Sequence, residues 1–150
     1  MTWASAVTLA IAVLGAVLGV INTWNTISNR RVKLRVRPLW AVTATGQFVG
    51  IEVTNLSTFP VTVSDVGMLY RRPWSKAPER AAITAPEFSD GGGWPRKLNP
   101  REQVTAYLQP MHLPRGRSLW GAYARTVCGE IAHGRSPALK QLSDMLSGME

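Results

Sequence analysis

The first 29 residues carry no charged side chain. All 17 Lys and Arg and all nine Asp and Glu lie at or after Arg30. Within this neutral head, Trp3 to Trp24 reads WASAVTLAIAVLGAVLGVINTW, without proline and with only Ser5, Thr8, Asn22 and Thr23 as polar residues. About 20 apolar residues rising roughly 1.5 Å each match a hydrocarbon core about 30 Å thick. Trp3 and Trp24 stand where amphipathic rings settle among lipid headgroups. The pattern predicts a transmembrane helix and its juxtamembrane end over residues 1–29. Two alternatives stand beside it. A cleaved signal peptide wants a basic n-region ahead of the apolar run, which this head lacks. A buried core helix is the other.

The flank after the head sets the expected orientation. Arg30, Arg31, Lys33, Arg35 and Arg37 follow directly, while the N-terminal side offers only the α-amino group. Lys and Arg next to a span resist translocation. The expectation is a single-pass protein of the bacterial inner membrane, with its N-terminus out and its C-terminal domain cytoplasmic. A lone thiol, Cys128, suits a reducing compartment and excludes an intrachain disulfide. Arg30, Arg31, Lys33 and Arg35 act either as a topology signal alone or also as contacts to anionic lipid headgroups. Inside the span, Gly15 and Gly19 are four residues apart, with Ala12 and Ala16 on the adjoining ridge. Such spacing opens a shallow groove for a second helix, so a homo-oligomer is one expected partner state.

After Arg30 the hydrophobic period changes to two. Val32, Leu34 and Val36 alternate with Lys33, Arg35 and Arg37, and Leu39 to Thr45 continue beyond Pro38. Phe48 to Asn55 places Val49, Ile51 and Val53 on one face. Val61 to Tyr70 keeps one face only if a residue slips at Ser64-Asp65, which predicts a β-bulge. Residues 71–101 hold four prolines before Asn99-Pro100 and show little periodicity beyond Ala81 to Thr84. Strand patterns return at Glu102–Gln109, Leu119–Cys128 and Glu130–His133. Ser136-Pro137 then reads as an N-cap and first helical residue. Leu139, Leu142, Met145 and Leu146 form an apolar stripe on that helix, for its own domain or for a partner. The reading is mainly β: an N-terminal transmembrane helix, an immunoglobulin-like Greek-key β-sandwich over 30–135, and a short C-terminal amphipathic helix over 136–150.

The run Ile51-Glu52-Val53-Thr54-Asn55-Leu56-Ser57-Thr58-Phe59-Pro60-Val61-Thr62-Val63 resembles the second-to-third strand region of bacterial immunoglobulin-like domains, where V-x-N-x-S-x-x-P-V-x-V joins two strands by an Asn/Ser turn. Leu98-Asn99-Pro100-Arg101-Glu102 is similar to the turn before their fifth strand. The layout as a whole is similar to a set of uncharacterised small membrane-anchored proteins of bacteria and their prophages. These motifs are structural, so the resemblance implies a fold and a setting but no activity.

The residues that chemistry needs are sparse. Asp90-Gly91-Gly92-Gly93 lacks the Gly-Lys-Ser/Thr and the following helix of a phosphate-binding loop, because Trp94-Pro95 comes next. It reads instead as a loop tip carrying an exposed Trp94. Cys128 and His133 have no orienting acid beyond Glu130, and a nucleophile pair needs one. His112 sits in a proline-bounded loop without neighbouring ligands, and no two carboxylates share a strand face as acid and base partners would. No catalytic residue, cofactor or metal is expected. Arg71, Arg72, Lys76 and Arg80 form one basic cluster, and Arg115 and Arg117 another. Without a recognition helix or an aromatic stacking platform, nucleic acid is disfavoured as their partner. Arg71, Arg72, Trp74 and Trp94 are the candidate contacts to a membrane or cytoplasmic protein. Together these features lead to the expectation of a non-enzymatic, membrane-anchored interaction protein. A structural subunit of a membrane or phage assembly, oligomerising through its N-terminal helix, is the second expectation.

Overall fold

A computed structural model describes residues 2–43, 46–71, 74, 77–88, 90–110, 113 and 117–147. The chain divides into two compact units, residues 1–31 and 32–150. The first is one helix, α1 (Trp3–Asn29). Among its described residues the second has nine strands: β1 (Leu34–Thr43), β2 (Gly46–Asn55), β3 (Val61–Tyr70), β4 (Glu79–Ala82), β5 (Glu87–Phe88), β6 (Arg96–Leu98), β7 (Gln103–Leu108), β8 (Leu119–Thr126) and β9 (Ile131–Gly134). A closing helix, α2 (Ala138–Ser147), follows them.

The fold is mainly β, and all its pairings are antiparallel. One sheet runs β1-β2-β7-β5, and the other runs β4-β3-β8-β9 with β6 also on β3. In immunoglobulin lettering these orders are A-B-E-D and C′-C-F-G, with β6 added between D and E, so the sandwich is immunoglobulin-like. Alternation decides which side chains meet. Val36 lies opposite Val53, Pro38 opposite Ile51, and Val53 opposite Val104. All of these point inward, toward Val63, Val66, Met68 and Tyr70 of the facing sheet. The inward residues form one apolar core.

The irregularities have local causes. The pairing of β3 with β8 shifts between Val63 and Asp65, the bulge that Ser64-Asp65 predicts. It returns Val66, Met68 and Tyr70 to the inner face. Pro38 does not stop β1, because β1 is the last strand of its sheet and only one edge needs donors there. The stretch expected to be irregular holds β4, β5 and β6, two to four residues each. Strands this short take their shape from the partner's edge and leave no period in the sequence.

Two polar residues hold the loops at the end where the chain joins β1. Asn55 is fully buried. Its Nδ2 donates to the carbonyls of Phe59 at 2.9 Å, Leu98 at 3.0 Å and Asn99 at 3.3 Å, and its Oδ1 accepts from the Ser57 N–H at 2.9 Å. One side chain thereby ties the β2–β3 loop to the β6–β7 turn. Ser57 Oγ in turn accepts from the Lys33 N–H at 2.8 Å. At the β9 edge, a Cβ on Gly134 would overlap the carbonyl of Val36, so only glycine allows the two backbones to pass this closely.

The start of α2 is also tied to β1. Ser136 Oγ donates to the Pro38 carbonyl of β1, and the Ser136 carbonyl accepts from the Leu139 N–H. Leu139 and Leu142 are buried in the sandwich's own unit, so this part of the stripe docks on its own domain. The side chains of Met145 and Leu146 lie outside the described residues.

Candidate functional site

α1 is long and apolar enough to cross a membrane: Trp3–Ser28 has a mean hydropathy of 2.4, and none of it is buried. Three of its hydroxyls are satisfied within the helix. Thr8 donates to the Ala4 carbonyl at 3.0 Å, Thr23 to Gly19 at 2.9 Å and Thr26 to Asn22 at 2.9 Å. In hydrocarbon an unpartnered hydroxyl is costly, so this back-bonding removes a penalty that polar residues otherwise bring to a span. Trp3 and Trp24 are exposed near its two ends. A Cβ on Gly15 or Gly19 would meet nothing, so the shallow face next to Ala12 and Ala16 is open. Arg30 closes the helix, its N–H on the Ile27 carbonyl, and Arg31 follows it, exposed.

In the sandwich the basic strand turns its cations outward. Lys33, Arg35 and Arg37 are exposed. Arg35 lies opposite Thr54, and Arg37 opposite Glu52. The strand alternation that turns Leu34 and Val36 inward is what displays them.

The glycine loop is neither an open cradle nor a free tip. Asp90 accepts from both terminal nitrogens of Arg96 and from the Gly92 N–H at 3.2 Å. The amide that a phosphate would use is therefore already occupied. The Arg96 guanidinium holds the Asp90 carboxyl well below the usual carboxylate range. Trp94 corrects the expectation of an exposed side chain. It packs edge-on against Phe88 at 5.1 Å and against the core, with its indole N–H buried and without a hydrogen-bond partner. Arg96 also covers the Phe88 ring at 5.6 Å.

The opposite end of the sandwich carries the other candidate contacts. Trp74, in the connection after β3, is 89% exposed, and Arg71 is exposed beside the last residue of β3. Arg117 pairs with Glu79 at 3.1 Å. Arg72, Lys76, His112 and Arg115 lie outside the described residues. An apolar cleft of about 480 Å³ opens under the β4–β5 connection, lined by Met68, Tyr70, Ala81, Ile83, Leu108 and Leu113. Burial pushes the Tyr70 hydroxyl up to about 12, against a smaller opposing pull from Arg117.

The structure separates Cys128 from His133. Cys128 sits exposed on the β8–β9 hairpin with Sγ 3.1 Å from the Thr126 hydroxyl, a contact that lowers the thiol below its ordinary value. His133 pairs with Tyr123 across the sheet and meets the Trp120 ring edge-on at 6.4 Å. Among the described residues, no group of three or more His, Cys, Asp and Glu is placed to hold a metal ion.

Sequence reasoning missed three surface features. On the outer face of the β3-containing sheet, the Arg135 guanidinium lies 3.6 Å from the centre of the Trp120 ring, within cation–π range. Nearby on that face, Arg125 pairs with Asp65 at 2.7 Å. Leu56 and Val127, each just past the end of its strand, are 51% and 64% exposed, although the strand expected over Leu119–Cys128 included Val127. An apolar, β-branched Val127 just ahead of Cys128-Gly129 was the available signal, since turns favour small and polar residues.

No protein-family model matches the chain, and no curated protein aligns with it significantly.

Proposed function

We propose that the chain is a single-pass protein of the bacterial inner membrane, N-terminus out, which presents its basic sandwich at the cytoplasmic face. It works by binding another membrane or cytoplasmic protein and catalyses no reaction. The observation that carries this reading is α1, a 27-residue helix without a charge, unburied over Trp3–Ser28 and followed at once by Arg30 and Arg31. A helix this apolar has no stable place in water, and the cations after it resist translocation. A retained anchor therefore fits better than a signal peptide, which would carry its cations ahead of the run. The exposed Trp74 and Arg71 are the surface through which we expect a protein partner to bind. The resemblance to small prophage and bacterial membrane proteins supports the setting alone.

The test is topology. Reporters active only in the cytoplasm or only in the periplasm are fused to the C-terminus, and membranes are washed with alkaline carbonate. Cytoplasmic signal in a carbonate-resistant fraction is the expected result. Periplasmic signal, or a soluble product shortened by the head, would overturn the orientation or the anchor respectively.

The open face at Gly15 and Gly19 favours a second reading, a subunit that assembles through α1. Gly15→Ile with Gly19→Ile breaks such an assembly in detergent micelles and leaves a monomeric anchored adaptor unchanged. Unchanged oligomeric state in the double variant removes this reading.

A further inference from the structure

The end of the sandwich at which the chain joins β1 has a surface suited to lying on lipid. Leu56, directly after β2, and Val127, directly after β8, are both exposed there. Neither is on a free tip: the Leu56 N–H bonds the Lys33 carbonyl at 2.8 Å, and the Val127 N–H bonds the Thr62 carbonyl at 3.0 Å. Their backbones are fixed, and so their side chains are held outward. Around them Lys33, Lys97 and Arg101 are exposed, with Arg101 locked by its N–H on the Asn55 carbonyl at a φ of 64°. Among the described residues, the carboxylates at this end are Glu102, which accepts from the Asn99 N–H, and Glu130 on the hairpin. Arg125 is neutralised by Asp65. Arg30 and Arg31 precede this end in the sequence, and only residues 30–33 separate α1 from β1. The opposite end also exposes apolar side chains, Val42 and Trp74, but the chain does not join it to the span.

We propose that this end docks on the anionic surface of the bilayer, with Leu56 and Val127 in the interfacial layer and Lys33, Lys97 and Arg101 on lipid phosphates. The proposal rests on the reading of α1 as a retained span. Fixed apolar side chains ringed by cations are the combination that binds membrane interfaces, with apolar burial and attraction to acidic lipids adding to each other.

Cys128, the lone cysteine and the neighbour of Val127, provides the probe. The full chain, labelled there with nitrobenzoxadiazole, is reconstituted into vesicles of phosphatidylcholine with or without roughly 30% phosphatidylglycerol. Lipids carrying a headgroup nitroxide serve as quenchers. The expected result is a blue-shifted label, quenched at least about threefold more in anionic vesicles than a label on the V42C/C128S variant at the other end. Leu56→Asp with Val127→Asp abolishes that quenching, and Lys97→Gln with Arg101→Gly abolishes the dependence on acidic lipid. All four positions are exposed, and near-ultraviolet circular dichroism checks that the variants keep the fold. Equal quenching at the two ends, or quenching that survives the double aspartate, overturns the proposal while the anchor stands. Extraction of the protein by alkaline carbonate instead overturns the anchor, and the docking proposal with it.

Discussion

Asn55 is the residue whose loss most directly tests how this sandwich is held together. Its side chain makes four contacts from a fully buried position: Nδ2 to the carbonyls of Phe59, Leu98 and Asn99, and Oδ1 from the Ser57 N–H. Two Nδ2 protons serve three carbonyls, so the contacts amount to about three full hydrogen bonds. Each contributes about 1 kcal/mol net, and more when truncation strands a buried partner. Asn55→Ala should therefore cost about 3–5 kcal/mol, a large part of a stability of about 5–15 kcal/mol. For a unit of this size, roughly 4 °C of melting temperature goes with each kcal/mol, so the midpoint should fall by about 12–20 °C. The assay is thermal unfolding of the full chain in detergent micelles, followed by near-ultraviolet circular dichroism. That signal reads aromatic packing in the sandwich, whereas the helical signal of α1 persists in detergent. Asn55→Asp sharpens the test: it keeps the acceptor for Ser57, loses both donors, and sets a carboxylate against three carbonyls. At neutral pH it should be worse than alanine. A loss below about 4 °C for Asn55→Ala, or an aspartate variant more stable than the alanine one, would refute the role given to this side chain.

Two further predictions concern the sandwich alone. Gly134→Ala places a methyl against the Val36 carbonyl, and separating β9 from β1 should cost about 2–4 kcal/mol, read as a lowered urea midpoint at unchanged slope; a wild-type midpoint would mean the two backbones do not pass this closely. Tyr70 has its hydroxyl raised from 10.0 to about 12, mainly by burial, so the folded state resists ionisation that the unfolded chain allows. That contribution is intact below pH 10 and is lost as the pH rises to about 12. In a spectroscopic titration the tyrosine signal that Tyr70→Phe removes should appear only with alkaline unfolding, and Tyr70→Phe should flatten the alkaline loss.

Much of this architecture was legible because strand alternation is a local signal. Val49, Ile51 and Val53 announced the inward face of β2, and the change of parity at Ser64-Asp65 announced the bulge. The Asn-x-Ser run was legible as a turn, but its reach to Leu98 and Asn99, more than 40 positions away, was not, because a sequence period says nothing about which distant carbonyls a side chain will find. The same limit explains Trp94. Beside Pro95 and three glycines it read as a tip, yet the Asp90–Arg96 pair folds the loop back and lays the indole on Phe88. Ser136 has the residue type of a cap, and its hydroxyl also reaches a carbonyl of β1, 98 positions earlier, which no local pattern announces.

These long-range contacts also decide where function can reside. Trp74 and Trp94, which sequence reasoning read alike as loop contacts, are of two kinds. Trp94 is committed to packing, and Trp120 is covered in part by Arg135, whereas Trp74 stands 89% exposed. Ordering an exposed indole against a partner removes a large apolar area from water. Trp74 has that area available; Trp94 has already spent most of it on the core. Substituting Trp94 should therefore act through stability, and substituting Trp74 through binding. A loss of partner capture by Trp74→Ala at unchanged melting temperature would place the protein-binding surface at the end of the sandwich away from the one that joins the span.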